Sequence, residues 1–253
     1  MKHLPNILTL CNLFFGCLGI VFILHSQPFL SELNGEQIWI NGTSQMYYGS
    51  ACILIAAIFD LFDGMAARAL GVHSPIGKDL DSLADVVSFG VAPSMIMMKL
   101  LWSAWMKDPH AIDISMLSVS PAFFLACFGA LRLARFNQGP STTAYFTGVP
   151  IPAMGLFVAS LPIILLQNPL GIGSRLLNPW ILFFIIAILC WLMVSKFKLF
   201  TLKIQGFSIS KYWPQLTWLG LTLIAIPFLQ SLCIPFSFLL YILLSFAYKH
   251  TEP

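Results

Sequence analysis

Between Phe59 and Asp85 the chain reads FDLFDGMAARALGVHSPIGKDLDSLAD, and this stretch holds five of the ten acidic residues: Asp60, Asp63, Asp79, Asp81 and Asp85. Only 9% of the 253 residues are charged. So much acid in so apolar a chain needs a chemical reason, and the surrounding sequence limits what that reason is.

Hydrophobic residues make up 58% of the chain and the mean hydropathy is +0.85. Apolar runs recur from end to end, which excludes a soluble domain with a polar skin and predicts an all-α polytopic membrane protein. A spanning helix needs about 20 mostly apolar residues. About eight segments qualify: Leu4–Leu24, Met46–Ala69, Asp81–Trp105, Ser120–Phe136, Tyr145–Gln167, Pro179–Lys196, Leu216–Gln230 and Ile234–Tyr248. The last two are joined by little more than Ser231–Cys233 and read as a tight helical hairpin. This divides the chain into a six-helix core, residues 1–200, and a tail, residues 201–253, made of a basic loop and the hairpin.

Lys2 precedes an apolar run, as in a signal peptide. The run is long, contains Pro5 and Asn12, and lacks a small-residue cleavage site after it, so it is expected to be a retained first helix. With the N-terminus cytoplasmic, Lys2, Arg68, Lys78, Arg132, Arg135, Lys196, Lys198, Lys203, Lys211 and Lys249 fall inside, leaving Lys99, Lys107 and Arg175 outside. Eight spans would return the C-terminus to the cytoplasm. The basic loop Lys196–Lys211 suits anionic lipid headgroups, and no nucleic-acid partner is expected. The six cysteines are scattered through apolar helices without a C-x-x-C pair, so neither a disulfide framework nor a zinc site is implied. His73 reads as a solvated turn residue, and the polar stretch Ser26–Gln45 as an external loop.

Residues three and four apart share a helix face. Asp60, Asp63, Gly64, Ala67 and Arg68 therefore form one stripe at the end of the second helix, and Gly77, Asp81, Asp85 and Ser88 another on the third. Gly71 and Pro75 mark the turn between them. Asp79 points away from its stripe. Four carboxylates converging in a low-dielectric setting repel one another unless cations neutralise them. All-oxygen ligation suits Mg2+, Mn2+ or Ca2+, and such ions can clamp a phosphate or diphosphate. Gly64 and Gly77 leave room beside the acids, and Arg68 offers donors to phosphate oxygens. Structural ion pairing is a weak account, because matching basic partners are missing. An ion pathway or an intramembrane prenyltransferase would use the acids, yet neither explains the glycines and the arginine at these offsets.

Residues 60–85 read D-x2-D-G-x2-A-R-x8-G-x3-D-x3-D, which resembles the signature of the CDP-alcohol phosphatidyltransferase family with every spacing filled. The resemblance implies a helical membrane enzyme with a six-helix core, usually a homodimer, and a divalent-metal site open to the cytoplasm. It makes Asp60, Asp63, Asp81 and Asp85 the metal-binding acids, with Mg2+ or Mn2+ as cofactor, and places Gly64, Ala67, Arg68 and Gly77 along the CDP site. The final hairpin exceeds the family core and is expected to be peripheral.

The segments DSLADVVSFGVAPS, LPNILTLCNLFFG, LRLARFN and FTGVPIPAMG, spread over residues 4–155, look like the phosphatidylserine synthase branch. That likeness implies CDP-diacylglycerol and L-serine as substrates, phosphatidylserine and CMP as products, and a bacterial inner membrane as the setting. Branches using glycerol 3-phosphate or inositol share the aspartate motif and remain the alternative. Arg132 and Arg135, with Asn137 just beyond, end the fourth helix and are candidates to hold the serine carboxylate or the lipid phosphate, although an arginine there also suits a positive-inside terminus. The expected reaction is direct displacement at phosphorus. A serine hydroxyl needs a proton acceptor, no histidine is well placed, and the family resemblance favours Asp85 among the four acids.

Overall fold

Twenty-two residues from Leu4 to His25 form helix α1, about 33 Å at 1.5 Å per residue, enough to cross a hydrocarbon layer of about 30 Å. The computed structural model describes residues 3–25, 29–33, 36–40, 43–71, 75–106, 114–138, 145–200 and 213–247. His73, and the cations Lys2, Lys107, Lys203, Lys211 and Lys249 used to predict orientation, lie outside the described residues.

Within the stretch expected to be an external loop, β1 (Phe29–Leu33) and β2 (Glu36–Ile40) pair antiparallel, Phe29 opposite Ile40 and Leu33 opposite Glu36. Helix α2 (Thr43–Leu70) stops at Gly71, whose φ of 61° takes the left-handed cap conformation and whose N–H donates to the Arg68 carbonyl. Helix α3 (Pro75–Asp85) opens on a proline, suited to a first turn where N–H groups are unpaired anyway. It runs on through a π-helical segment, Val86–Val91, into α4 (Ala92–Trp105). The third span thus begins earlier than the hydropathy of the sequence suggests, with Asp81 well inside the helix.

Next come α5 (Met116–Val119), a 3-10 turn at Ser120–Phe123, and α6 (Phe124–Gln138). The fifth apolar segment was expected to be helical from Tyr145. Instead Tyr145–Thr147 forms strand β3, and α7 covers Ile151–Gln167. Gly148 is the reason: its φ of 71° breaks the helix, its N–H donates to the Phe197 carbonyl, and an added Cβ would collide with the Met193 carbonyl. After the short α8 (Ile172–Leu176), α9 (Pro179–Val194) ends two residues earlier than expected, where Ser195 turns extended towards β4 (Lys198–Phe200), the antiparallel partner of β3. Helices α10 (Trp213–Leu229) and α11 (Cys233–Ala247) form the predicted hairpin about a 3-10 turn at Gln230–Leu232.

Among the described residues, five stretches are long and apolar enough to cross a membrane: Leu4–His25, Gln45–Leu70, Ile76–Trp105, Met116–Gln138 and the α10–α11 run Trp213–Ala247; α7 and α9 are shorter apolar helices. The chain is an all-α polytopic membrane protein. Its centre is α4, whose stretch is 61% buried against 22–33% for the other four. Ile96, Met97, Leu100 and Leu101 pack there with Leu125 of α6, Met154 and Val158 of α7 and Leu182 of α9. Phe14, Val21, Ile58, Phe184, Trp191, Ile224 and Phe228 face outward. Such an apolar exterior fits lipid as its solvent.

Candidate active site

The site is built where the last turns of α2 meet α3. Helical spacing sets Asp60 and Asp63 on one face of α2, and α3 brings Asp81 to them. One carboxylate oxygen from each of the three lies within 4.8 Å of the others. Asp63 is buried at 7% exposure while Asp60 and Asp81 are partly covered. Asp85, one turn after Asp81, stands outside this trio, within electrostatic reach of Asp60 and Asp81, and is itself 7% exposed. Carboxylates gathered this closely in a buried setting repel one another unless a cation neutralises them. Asp85 Oδ1 is buried without a partner among the described residues. Three converging carboxylates with a fourth beside them form an all-oxygen donor set that fits a hard divalent cation. Asp79 is exposed, in line with its exclusion from the stripe.

Gly64, Ala67 and Gly77 are half-buried beside the acids, and Arg68 is exposed. A Cβ on Gly64 would find only Arg68 Nη1 nearby, at 3.9 Å, so open space remains along that edge. The arginines of α6 part company. Arg132 is buried at 7% exposure, its guanidinium 5.9 Å from the Phe136 ring centroid and within electrostatic reach of Asp85 and Tyr241. Its Nε has no partner among the described residues. Arg135 is exposed. Asn137, also a candidate for acceptor binding, donates its amide to Ser82 Oγ at 2.8 Å, and its carbonyl accepts from Lys78 Nζ at 3.2 Å. These bonds tie the end of α6 to α3 on either side of Asp81, at Lys78 and Ser82.

Sequence reasoning missed the contribution of α1. Thr9 Oγ1 donates to Asp63 Oδ2 at 2.7 Å and lies 3.0 Å from the Pro5 carbonyl. Thr9 lies in a segment used for the family likeness, yet no spacing rule connects it to Asp63. Ser88 Oγ donates to the Asn12 carbonyl at 3.1 Å, joining α1 to the π segment. That segment buries Ser88, Phe89 and Gly90 in succession, more than one face of a regular helix would. Small residues hem it in: a Cβ on Gly155 of α7 would sit 3.0 Å from the Phe89 backbone, one on Gly90 would lie 3.5 Å from Ala126 Cα of α6, and one on Gly16 of α1 would clash with Ser88. Asp85 is the residue from which this braced segment starts.

A family model described as CDP-alcohol phosphatidyltransferase matches residues 2–195. The chain is 30% identical over 198 residues to the CDP-diacylglycerol–serine O-phosphatidyltransferase of Bacillus subtilis, covering 78% of this chain and 90% of that protein. It is 34% identical over 158 residues to the enzyme of the same name from Helicobacter pylori, and 33% identical over 162 residues to the archaetidylserine synthase of Methanothermobacter thermautotrophicus. Those matches cover 61% and 62% of this chain but only 54% and 56% of the relatives.

Proposed function

The chain belongs to the CDP-alcohol phosphatidyltransferase family, and on that premise we propose that it transfers the phosphatidyl group of CDP-diacylglycerol to L-serine, giving phosphatidylserine and CMP. The observation that carries this reading is the meeting of Asp60, Asp63 and Asp81 within 4.8 Å, beside Asp85 and the buried Arg132. The choice of serine is supported by the names of the relatives in Bacillus subtilis and Helicobacter pylori.

Asp60, Asp63 and Asp81 would hold the divalent ion, Mg2+ or Mn2+, with Asp85 contributing a further oxygen. Bound there, such an ion supplies charge neutralisation for the diphosphate. Gly64, Ala67 and Gly77 leave a shallow edge for the CDP group, and Arg68 stands at its outer side to meet phosphate oxygens. Arg132 offers a buried cation to the serine carboxylate, and Arg135 a second one at the rim. Asn137 keeps α6 against α3 and so fixes the distance between Arg132 and the aspartates. As the serine oxygen bonds to the phosphorus that carries diacylglycerol, Asp85 takes the hydroxyl proton and CMP departs with the bridging oxygen. One displacement inverts the configuration at phosphorus. The same reading sets the site at the cytoplasmic face of a bacterial inner membrane, in a homodimer.

Purified protein with CDP-diacylglycerol and Mg2+ or Mn2+ should release CMP when given L-serine, and not with glycerol 3-phosphate or inositol. Release with glycerol 3-phosphate alone would move the assignment to that acceptor. Prenyl transfer from a polyprenyl diphosphate, with no CMP release from any acceptor, would overturn the reading.

A further inference from the structure

Around Asp85 the protein buries polar groups it does not itself satisfy. Among the described residues, Asp85 Oδ1, Arg132 Nε and both amide atoms of Asn12 lack a hydrogen-bond partner. The proposed function employs the first two residues and leaves Asn12 without a task. Asn12 is fully buried, at 0% exposure, on the face of α1 that also buries Thr9 and Gly16. Its neighbours show where that face points. Thr9, one turn earlier, reaches Asp63; Ser88, one turn after Asp85, donates to the Asn12 carbonyl; Gly16, one turn later, abuts Ser88. Asn12 therefore sits on the α1 face between the residue that reaches Asp63 and the one that abuts Ser88, three residues after Asp85.

We propose that the Asn12 side chain is a recognition group for the acceptor, binding the zwitterionic head of an α-amino acid. A primary carboxamide presents one acceptor oxygen and two N–H donors side by side. An α-amino acid presents the complement, an ammonium donor and carboxylate acceptors on the same carbon. A neutral amide suits this task because the charges are already supplied: the aspartates favour the ammonium and Arg132 favours the carboxylate. A phosphorylated polyol would instead set dianionic oxygens against the Asn12 Oδ1 and the neighbouring carboxylates. Burying an amide with neither end paired is costly, and a ligand that pairs both ends relieves that cost only while it is bound.

The proposal rests on serine being the acceptor, so the experiment separates the two. The wild-type protein is assayed for CMP release with L-serine, and Asn12→Leu, which keeps the side-chain bulk, is then compared with it. The expected result is a serine KM raised about tenfold or more, a KM for CDP-diacylglycerol within about twofold of wild type, and a thermal midpoint in detergent that is unchanged or higher. Asn12→Gln, which restores the amide on a longer stem, should recover part of the serine KM. If Asn12→Leu does not fold, Asn12→Ser carries the same KM comparison. Serine-dependent release with an unchanged serine KM in a folded variant overturns the role of Asn12 alone. A fall in thermal midpoint with both KM values rising together makes Asn12 a packing residue and overturns it as well. Wild-type release with glycerol 3-phosphate but not with serine removes the acceptor reading and this inference together.

Discussion

Asp60 and Asp85 belong to one acidic cluster, yet their surroundings differ. Asp60 is partly covered and has a carboxylate oxygen within 4.8 Å of ones on Asp63 and Asp81, whereas Asp85 is buried near Arg132 with one oxygen unpaired among the described residues. A ligand to a shared ion and a proton acceptor would sit in such different places. Asp60→Asn keeps the shape and removes an anionic ligand, so Mn2+ binding followed by electron paramagnetic resonance should weaken and turnover should collapse, as it should for wild type in EDTA. Asp85→Asn should keep most of its affinity for CDP-diacylglycerol while kcat falls about a hundredfold or more, the range in which general bases contribute. Equal losses of affinity and rate in Asp85→Asn would make it a metal ligand only, and full activity in chelator would remove the metal from the reaction.

Helix α3 and the π segment show how an element can aim a residue. A π turn holds one residue more than an α turn of the same kind, so the helix beyond Asp85 is rotated relative to the stripe that spacing alone predicts. Gly16, Ala126 and Gly155 let neighbouring helices come close to the segment, with Ile151 Cδ1 against Gly90 and Phe89 buried in the core. Gly155→Ala would place a Cβ 3.0 Å from Cα, Cβ and O of Phe89, and most of those atoms are backbone that cannot swing aside. The expected cost is about 1–3 kcal/mol, as for overpacked interiors, accompanied by a fall in kcat as Asp85 is displaced. Gly220→Ala on α10, where an added Cβ meets nothing within 4 Å, should leave both unchanged. Thermal unfolding in detergent and CMP release on the two variants check this; an unaffected Gly155→Ala would mean that the segment yields without consequence.

Across the whole molecule, the C-terminal hairpin is attached through one of its helices. Helix α11 buries Phe238, Tyr241, Ile242 and Ser245, with the Phe238 ring tilted against Phe157 of α7 at 4.9 Å between ring centroids. Tyr241 Oη donates to the Phe200 carbonyl at 3.0 Å, and the two rings meet edge to face at 4.8 Å. Helix α10 buries only Pro214 and Ala225 and is held to α11 by Trp218 Nε1 donating to the Ser237 carbonyl at 3.0 Å. Tyr241→Phe keeps the ring and loses one hydrogen bond, so the stability loss should be about 0.5–1.5 kcal/mol, with serine kinetics close to wild type. Since Tyr241 lies within electrostatic reach of Arg132, a serine KM raised tenfold in this variant would instead make the hairpin part of the acceptor wall.

The sequence by itself determined the membrane-spanning helical class, the terminal hairpin, and the pairing of Asp60 with Asp63 and of Asp81 with Asp85 along their helices. These follow from local rules: an apolar run long enough for a bilayer, and a helical period that puts residues three and four apart on one face. The tertiary structure alone decided that Thr9 reaches Asp63 across 54 positions and that Asn137 reaches Ser82 across 55. It also decided that Arg132 is buried while Arg135, three residues on, is exposed, and that Tyr145–Thr147 leaves its expected helix to pair with Lys198–Phe200. A helical period says which residues share a face but not which other helix that face will meet. In this bundle that choice depends on how closely backbones approach at small residues, and on contacts between segments far apart in the chain, so it exists only once the helices have packed.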